Sequence, residues 1–423
     1  MKLKLVYHSL NRIIKIGLFS SALFGYGIIA SLIHDASTSR LITIPYRFVI
    51  LIVSILVILF NINLKSINDN RQLLPKISVL LIFIFSYSFR LFFDIGYNNF
   101  LTRESSEYLL NWFCICLVPG IAFLFLDLKY SKKYLYLTWI FLAISSILAL
   151  PLIAQAQISK VFTEQGRLAG EALNPISLGH QGGSLLLISL YVLLNRETSK
   201  NGITKILYIF SLALGLSLLI FAGSRGPIIA IIVCVCLLVI SLQYQGVNTF
   251  KIFSIFVTAI LFANITLSFA LDTGSSLVER FTSLLNGGDF SYSQFIQRPE
   301  LYQKASDLIA EYPIFGYGLE VPNLGYPHNL ILEAFLSTGF LGGSLFLIMY
   351  IYAAIKAICI TLAKNNLWNW LGLLYIQYAI GSMFSGNLYA SSTFWYLLFA
   401  ILGFKNTNKF VDKKHSHAKL SVN

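Results

Sequence analysis

The chain has 423 residues, of which 57% are hydrophobic and only 12% are charged. Soluble globular proteins carry about 25% charged residues, so this composition excludes them and indicates an all-α polytopic membrane protein. The net charge of +13 does not require a nucleic-acid partner, because lysines that flank membrane helices also contact anionic lipid headgroups.

Apolar runs of about 20 residues, long enough to cross a bilayer, recur along the chain and predict twelve transmembrane helices in a single membrane domain over residues 1–423. The runs are at 13–33, 44–64, 74–93, 109–126, 134–153, 176–194, 203–222, 228–244, 252–271, 330–351, 368–384 and 388–404. The first run is too long for a signal peptide and no cleavage site follows it, so we expect it to be retained. Gly386 and Asn387 predict a tight turn between the last two runs.

The basic residues predict the orientation, because cytoplasmic loops are enriched in Lys and Arg. With both termini cytoplasmic, residues 405–423 form a basic cytoplasmic tail, and only ten of the 31 basic residues lie on the outer side. Eight of these ten are arginine, which binds phosphate and carboxylate groups bidentately, so we expect the outer side to hold an anion. Alternatively, each arginine pairs with an outer acidic residue. The ten are Arg40, Arg47, Arg90, Arg103, Lys160, Arg167, Arg225, Arg280, Arg298 and Lys304.

Two outer loops are long, at 154–175 and 272–327, and long loops often carry function. Within the second loop, apolar residues recur at helical spacing over 299–312 and predict a short amphipathic helix near the membrane surface. Pro299 suits the first turn of this helix and Pro313 ends it.

Several predicted helices begin on the outer side beside a cationic or titratable residue. Arg225 stands two residues before the proline of the eighth span, Arg298 directly precedes Pro299, and His328 follows the proline that opens the tenth span. Asn174 opens the sixth span behind Arg167. A helix N-terminus offers unpaired N–H groups to an anion, so together these ends are predicted to bind a diphosphate without a metal ion. The alternative is that each proline merely starts a helix and each arginine extends to the interface.

His328 is the candidate general base. A positive helix end and nearby arginines disfavour the imidazolium form, so we expect a neutral ring that accepts a proton. Alternatively, His328 only caps the helix or forms interfacial hydrogen bonds. Asn329 follows it, and Glu333 lies one turn deeper, where it orients a substrate or an arginine, or is paired inside the bundle.

These motifs together resemble the O-antigen ligase and O-antigen polymerase family of bacterial envelope polysaccharide enzymes. The matching features, in chain order from about Arg167 onward, are G-S-R-G-P, R-P-E-L-Y, Y-P-I-F-G-Y-G-L and P-H-N-L-I-L-E-A-F-L-S-T-G-F-L-G. The resemblance implies a metal-independent, GT-C-like glycosyltransferase of the inner membrane, acting on its periplasmic side. It implies that Arg225 and Arg298 bind the diphosphate and that His328 deprotonates or orients the acceptor hydroxyl. Further candidate substrate contacts are Arg167, His180, Asn329, Glu333, Arg280 and Tyr302.

The implied donor is an oligosaccharide on undecaprenyl diphosphate, and no metal or other cofactor is expected. A polymerase uses a second lipid-linked repeat unit as acceptor, whereas a ligase uses the lipid A-core; the motif Y-P-H-N-L-I-L-E after F-G-Y-G-L-E favours the polymerase. Membrane lipids and a chain-length regulator are the other partners considered.

A transporter or flippase is the main alternative function. Such proteins place polar sites at mid-membrane, whereas here nearly all charges map to helix ends, with Arg90 the closest exception. A non-enzymatic scaffold for polysaccharide assembly is a third alternative.

Overall fold

The computed structural model describes residues 2–33, 36–61, 74–97, 101–152, 173–195, 202–272, 277–278, 297–364 and 366–404. These residues are almost entirely helical, and their only β-type pairing is an isolated bridge between Val321 and Gly325. The helices are α1 (Lys2–Ser31), α2 (Ala36–Asn61), α3 (Leu74–Tyr97), α4 (Ser105–Phe125), α5 (Ser131–Leu148), α6 (Pro175–Leu194), α7 (Gly202–Phe221), α8 (Arg225–Tyr244), α9 (Thr249–Asp272), α10 (Gln297–Glu311), α11 (Leu330–Leu362), α12 (Asn369–Ser382) and α13 (Ser392–Gly403).

The predicted polytopic all-α class is confirmed. Within the described ranges, ten helices are long and apolar enough to cross a membrane, α1 to α9 and α11, and they coincide with the first ten predicted spans. The amphipathic helix of the second long loop is present as α10. Most of the predicted loop 154–175, the first part of the loop 272–327 and the tail 405–423 lie outside the described residues.

The last two predicted spans differ from expectation. Helices α12 and α13 have 14 and 12 residues, which at 1.5 Å per residue reach about 21 and 18 Å, less than the hydrocarbon thickness of about 30 Å. Most of their residues are buried inside the bundle. The tight turn predicted at Gly386 is instead a nine-residue connection, residues 383–391, which we call the connecting segment. Irregular backbone within a membrane domain is tolerated where protein surrounds it.

Helix α4 contains a π-helical stretch, Leu110–Leu117, which ends two residues before Pro119. Proline has no N–H to donate to the carbonyl four residues earlier, which is that of Ile115. The Tyr396 hydroxyl of α13 donates a hydrogen bond to this carbonyl. A hydrogen bond from α13 therefore replaces the helical hydrogen bond that Pro119 cannot form. Short π-helical stretches within α-helices are frequent at functional sites.

Helix α11 is broken at Gly339, which has φ 63° and ψ −165°, a conformation open essentially only to glycine. The break separates a first half-helix, Leu330–Thr338, from the membrane-length remainder. At this break the Phe340 N–H donates to the Pro313 carbonyl at 2.7 Å. Residues 312–329, which we call the His328 loop, thus lie against this break.

Candidate functional site

His328, the last residue but one of the His328 loop, has a left-handed backbone conformation, with φ of 56°. Non-glycine residues adopt this conformation rarely, and such residues cluster at functional sites. The side-chain oxygen of Asn329 accepts hydrogen bonds from the N–H groups of Ile331 and Leu332 at 3.0 and 3.1 Å. Asn329 therefore caps the half-helix, while the His328 ring lies beside Tyr326 with a centroid distance of 4.3 Å.

Arg90 of α3 holds the other end of the half-helix. Its guanidinium donates to the carbonyl oxygens of Ser337, at 3.0 Å, and of Gly316. Asp94, one turn further along α3, lies 3.7 Å from this guanidinium and accepts from the Leu319 N–H at 2.7 Å. Arg90 thus binds one carbonyl from the last turn of the half-helix and one from the His328 loop, so α3 fixes both the loop and the half-helix.

Glu320 ties the middle of the His328 loop to the start of α4. Its carboxylate accepts hydrogen bonds from the Tyr108 hydroxyl at 2.6 Å and from the Thr102 N–H and hydroxyl at 2.9 and 3.0 Å. The residue is only 4% exposed. A buried carboxylate needs such a set of donors, so the position of the loop depends on Glu320.

Glu333 on the half-helix is fully buried, with 0% exposure. The Leu388 N–H donates to both of its carboxylate oxygens at 3.0 Å, and the Tyr87 hydroxyl lies 3.5 Å from one of them. Of the two roles considered for Glu333, these contacts favour pairing inside the bundle. The side chain holds the connecting segment against the half-helix that begins beside His328.

The connecting segment lies between the two motifs that the sequence singled out. On one side, Gly226 packs so closely that a Cβ atom placed on it would lie 2.9 Å from the Cβ atom of Phe384. Gly226 follows Arg225, the first residue of α8, so that helix start borders the segment. On the other side, the rings of Tyr389 and Tyr326 are 6.5 Å apart, beside His328.

The start of α6 joins the same region. The Asn174 side chain caps this helix by accepting from the Ser177 N–H at 2.8 Å, and a proline follows Asn174 as predicted. One turn later, a Cβ atom on Gly179 would lie 3.0 Å from Pro227. The predicted N-termini of α6 and α8 are therefore neighbours.

His180, another sequence-predicted substrate contact, is on the same turn of α6. Its ring stacks on Tyr378 of α12 at a centroid distance of 5.0 Å. The Nδ1 atom of His180 and the Nε2 atom of Gln181 are buried and have no hydrogen-bond partner among the described residues. Both side chains line a cavity, and unsatisfied buried polar atoms of this kind call for an explanation.

This cavity has a volume of about 700 Å³ and lies among α1, α2, α4, α6, α12, the connecting segment and α13. The predicted topology places the helix ends around this cavity on the outer side of the membrane. The wall is rich in polar groups. They include Thr43, Arg47, Arg103, Asn111, Asn174, His180, Gln181, Ser385 and Asn387. We call it the polar cavity.

The remaining predicted site residues are placed only in part. Arg298 lies at the second position of α10, where its side chain is not among those described, and Tyr302 is a half-buried residue one turn later. Arg167 and Arg280 lie outside the described residues.

Sequence analysis did not single out Gln181, Glu320 or Tyr326. For Arg47, an arginine inside an apolar run was an available signal.

Comparison with known families identifies a matching segment that begins near the middle of the chain. Residues 210–347 match the family model described as O-antigen ligase. The matched segment runs from α7 into α11 and contains Arg225, Arg298 and His328, so the resemblance is confirmed there. A comparison with curated proteins found no match.

Proposed function

Residues 210–347 match the O-antigen ligase family model, and from this match we propose that the protein is a glycosyltransferase. It transfers a glycan from undecaprenyl diphosphate on the periplasmic side of the bacterial inner membrane, with both termini cytoplasmic. The observation that carries the proposal is the connecting segment, which has the start of α8 with Arg225 on one side and the His328 loop on the other.

The positions of α10 and α11 support a role for Arg298 in the same site. The two helices share a small apolar core that includes Leu301 and Leu336. The residues that follow α10 contact the break at Gly339, where the half-helix ends. We infer that the first turns of α10 and of the half-helix, with Arg298 and His328, point in the same direction.

The reaction then needs few groups. His328 takes the proton from the acceptor hydroxyl, and the oxygen attacks the anomeric carbon of the donor sugar while the bond to the diphosphate breaks. Arg225 and Arg298 bind the departing diphosphate and stabilise its growing charge. The proton leaves His328 to solvent or to the released diphosphate, which restores the neutral imidazole. No metal ion takes part in this mechanism.

The test is transfer by purified full-length protein from a lipid-linked oligosaccharide. We expect Arg225→Ala and Arg298→Ala each to lower the rate about 100-fold or more, and His328→Ala to lower it by about 100- to 10,000-fold. Lys304→Ala is the matched control, because Lys304 is on α10 as well but pairs with Glu300 at 2.7 Å on the exposed surface. Full activity of Arg298→Ala would remove its diphosphate-binding role.

The acceptor separates two versions of the proposal. The polymerase, which joins repeat units, is favoured by the motif around His328; the ligase, which transfers polymer to the lipid A-core, remains the alternative because the matching family model bears that description. Lipopolysaccharide from a deletion strain distinguishes them on a gel. A core capped by one repeat unit indicates a lost polymerase, and bare core with polymer left on the lipid carrier indicates a lost ligase.

A further inference from the structure

Arg47 is a charged residue inside a membrane-length helix. It lies on α2, is half-buried and lines the polar cavity. Its guanidinium carbon is 5.6 Å from the centroid of the Tyr26 ring. No carboxylate in the described part of the chain forms a salt bridge with it. An arginine at such a depth is costly unless it faces protein or water and serves a purpose, so Arg47 offers the cavity a positive charge.

A second guanidinium lies at the rim. Arg103 pairs with Glu107 at 3.2 Å, but the two side chains are 46% and 32% exposed. A surface pair of this kind contributes little and rearranges easily. The cavity therefore has two arginines, one on α2 and one just before α4, and neither is fixed by a buried ion pair among the described residues. Its lining also includes Glu104 and Glu107, which lie beside Arg103 at the rim, so Arg47 is the cation of the inner part.

The inner wall adds groups suited to hydroxyls. His180 and Gln181 are 8% and 5% exposed, and each has a buried nitrogen without a partner among the described residues. A ligand that hydrogen-bonds to these atoms removes the cost of leaving them unsatisfied. The volume of about 700 Å³ falls in the range of about 300–1,000 Å³ typical of ligand pockets.

The polar cavity and the proposed diphosphate site are lined by different residues. Arg225 is not among the described residues that line this cavity, whereas Tyr326 and Asn387 are, so the cavity adjoins the His328 side of the connecting segment. We propose that the polar cavity binds the acceptor saccharide and that Arg47 selects an acceptor that carries an anionic group, a carboxylate or a phosphate ester. That the bound saccharide is the acceptor rests on the proposed transfer reaction, whereas the preference of the cavity for an acidic sugar does not.

The experiment measures binding to the full-length protein in detergent by saturation-transfer NMR. The probes are a trisaccharide with a terminal glucuronate, its carboxyl-reduced neutral form, the same neutral trisaccharide with a terminal 6-phosphate, and inorganic pyrophosphate. We expect the wild type to prefer at least one acidic trisaccharide over the neutral one, and the preferred form tells carboxylate from phosphate. Equal binding of all three trisaccharides would overturn the proposal, whatever the stability of any variant.

Arg47→Gln should weaken the preferred acidic trisaccharide at least tenfold and leave the neutral one unchanged, and Arg47→Lys should restore part of the loss. Arg12→Gln is the matched control, because Arg12 lies 5.0 Å from the Tyr130 ring centroid in a similar arginine–tyrosine contact outside the cavity. If Arg47→Gln instead weakened only pyrophosphate, the cavity would hold the leaving group and the proposal would fail. Acidic-sugar binding without glycan transfer would refute the proposed function alone.

Discussion

The hydrogen bonds of Glu320 allow a direct test of how the His328 loop is held. Glu320→Ala removes three hydrogen bonds to a charged acceptor, from Tyr108 and twice from Thr102. Such bonds contribute about 1.5–3 kcal/mol each, but the substitution also relieves several kcal/mol of carboxylate desolvation. We therefore expect the loop to lose about 3 kcal/mol of docking free energy, which is roughly a 150-fold change in its opening equilibrium.

Hydrogen–deuterium exchange measures this opening. The Val321 and Gly325 amides form hydrogen bonds within the loop, and their exchange should accelerate about 150-fold in Glu320→Ala, while amides buried in α12 keep their rates. Glu320→Gln is the matched variant. Its amide oxygen accepts from the Thr102 N–H and its NH₂ group donates to the two hydroxyls, which accept as readily as they donate.

Exchange in Glu320→Gln should therefore stay within about tenfold of the wild type. Two results would refute the reasoning. The first is an acceleration of less than about fivefold in Glu320→Ala, and the second is equal acceleration in Gln and Ala variants. The first would mean that apolar contacts alone hold the loop, and the second that the negative charge rather than the hydrogen-bond geometry is required.

Two further predictions concern the helix break and the mechanism. Gly339→Ala should lower the free energy of unfolding by at least about 2 kcal/mol, because φ is 63° and the new Cβ would lie 2.3 Å from the Ile314 carbonyl oxygen. Gly96→Ala is the control, because the added Cβ would meet no described atom within 4 Å outside its own stretch of helix. Equal midpoints of thermal unfolding for the two variants would contradict the argument. Transfer activity should persist in EDTA, and a loss that a divalent cation restores would refute the metal-free mechanism.

The example of α10 and α11 illustrates what local sequence could predict. Pro299 lies in the first turn of α10, where a missing N–H costs nothing. Pro327, which was expected to open the tenth span, instead lies three residues before α11, which begins at Leu330 with Asn329 as its N-cap. Both helices nevertheless begin within three residues of the predicted positions. The family motifs also lie at these starts, so the candidate residues Arg298 and His328 could be chosen without a structure. Their mutual position could not, because it depends on contacts with α3 and the connecting segment.

Arg90, Glu320 and Glu333 show the limit of the sequence most clearly. Each forms hydrogen bonds with residues 212 to 247 positions away along the chain, or 55 in the case of Leu388 with Glu333. Arg90 also has a local partner, Asp94 on the next turn of α3. Nothing in the local pattern separates such a buried pairing from a substrate contact. Burial and hydrogen-bond partners, which only the fold supplies, assign these side chains to holding the loop.

Hydropathy and proline placement by themselves determined the class of protein, the first ten spans and the amphipathic α10, because burial in lipid requires long apolar helices. Tertiary structure alone decided that α12 and α13 are short helices inside the bundle and that Gly339 breaks α11. It also decided that Arg47 faces a polar cavity. The physical reason is that apolar residues buried in protein and apolar residues facing lipid have the same composition, so only packing distinguishes them.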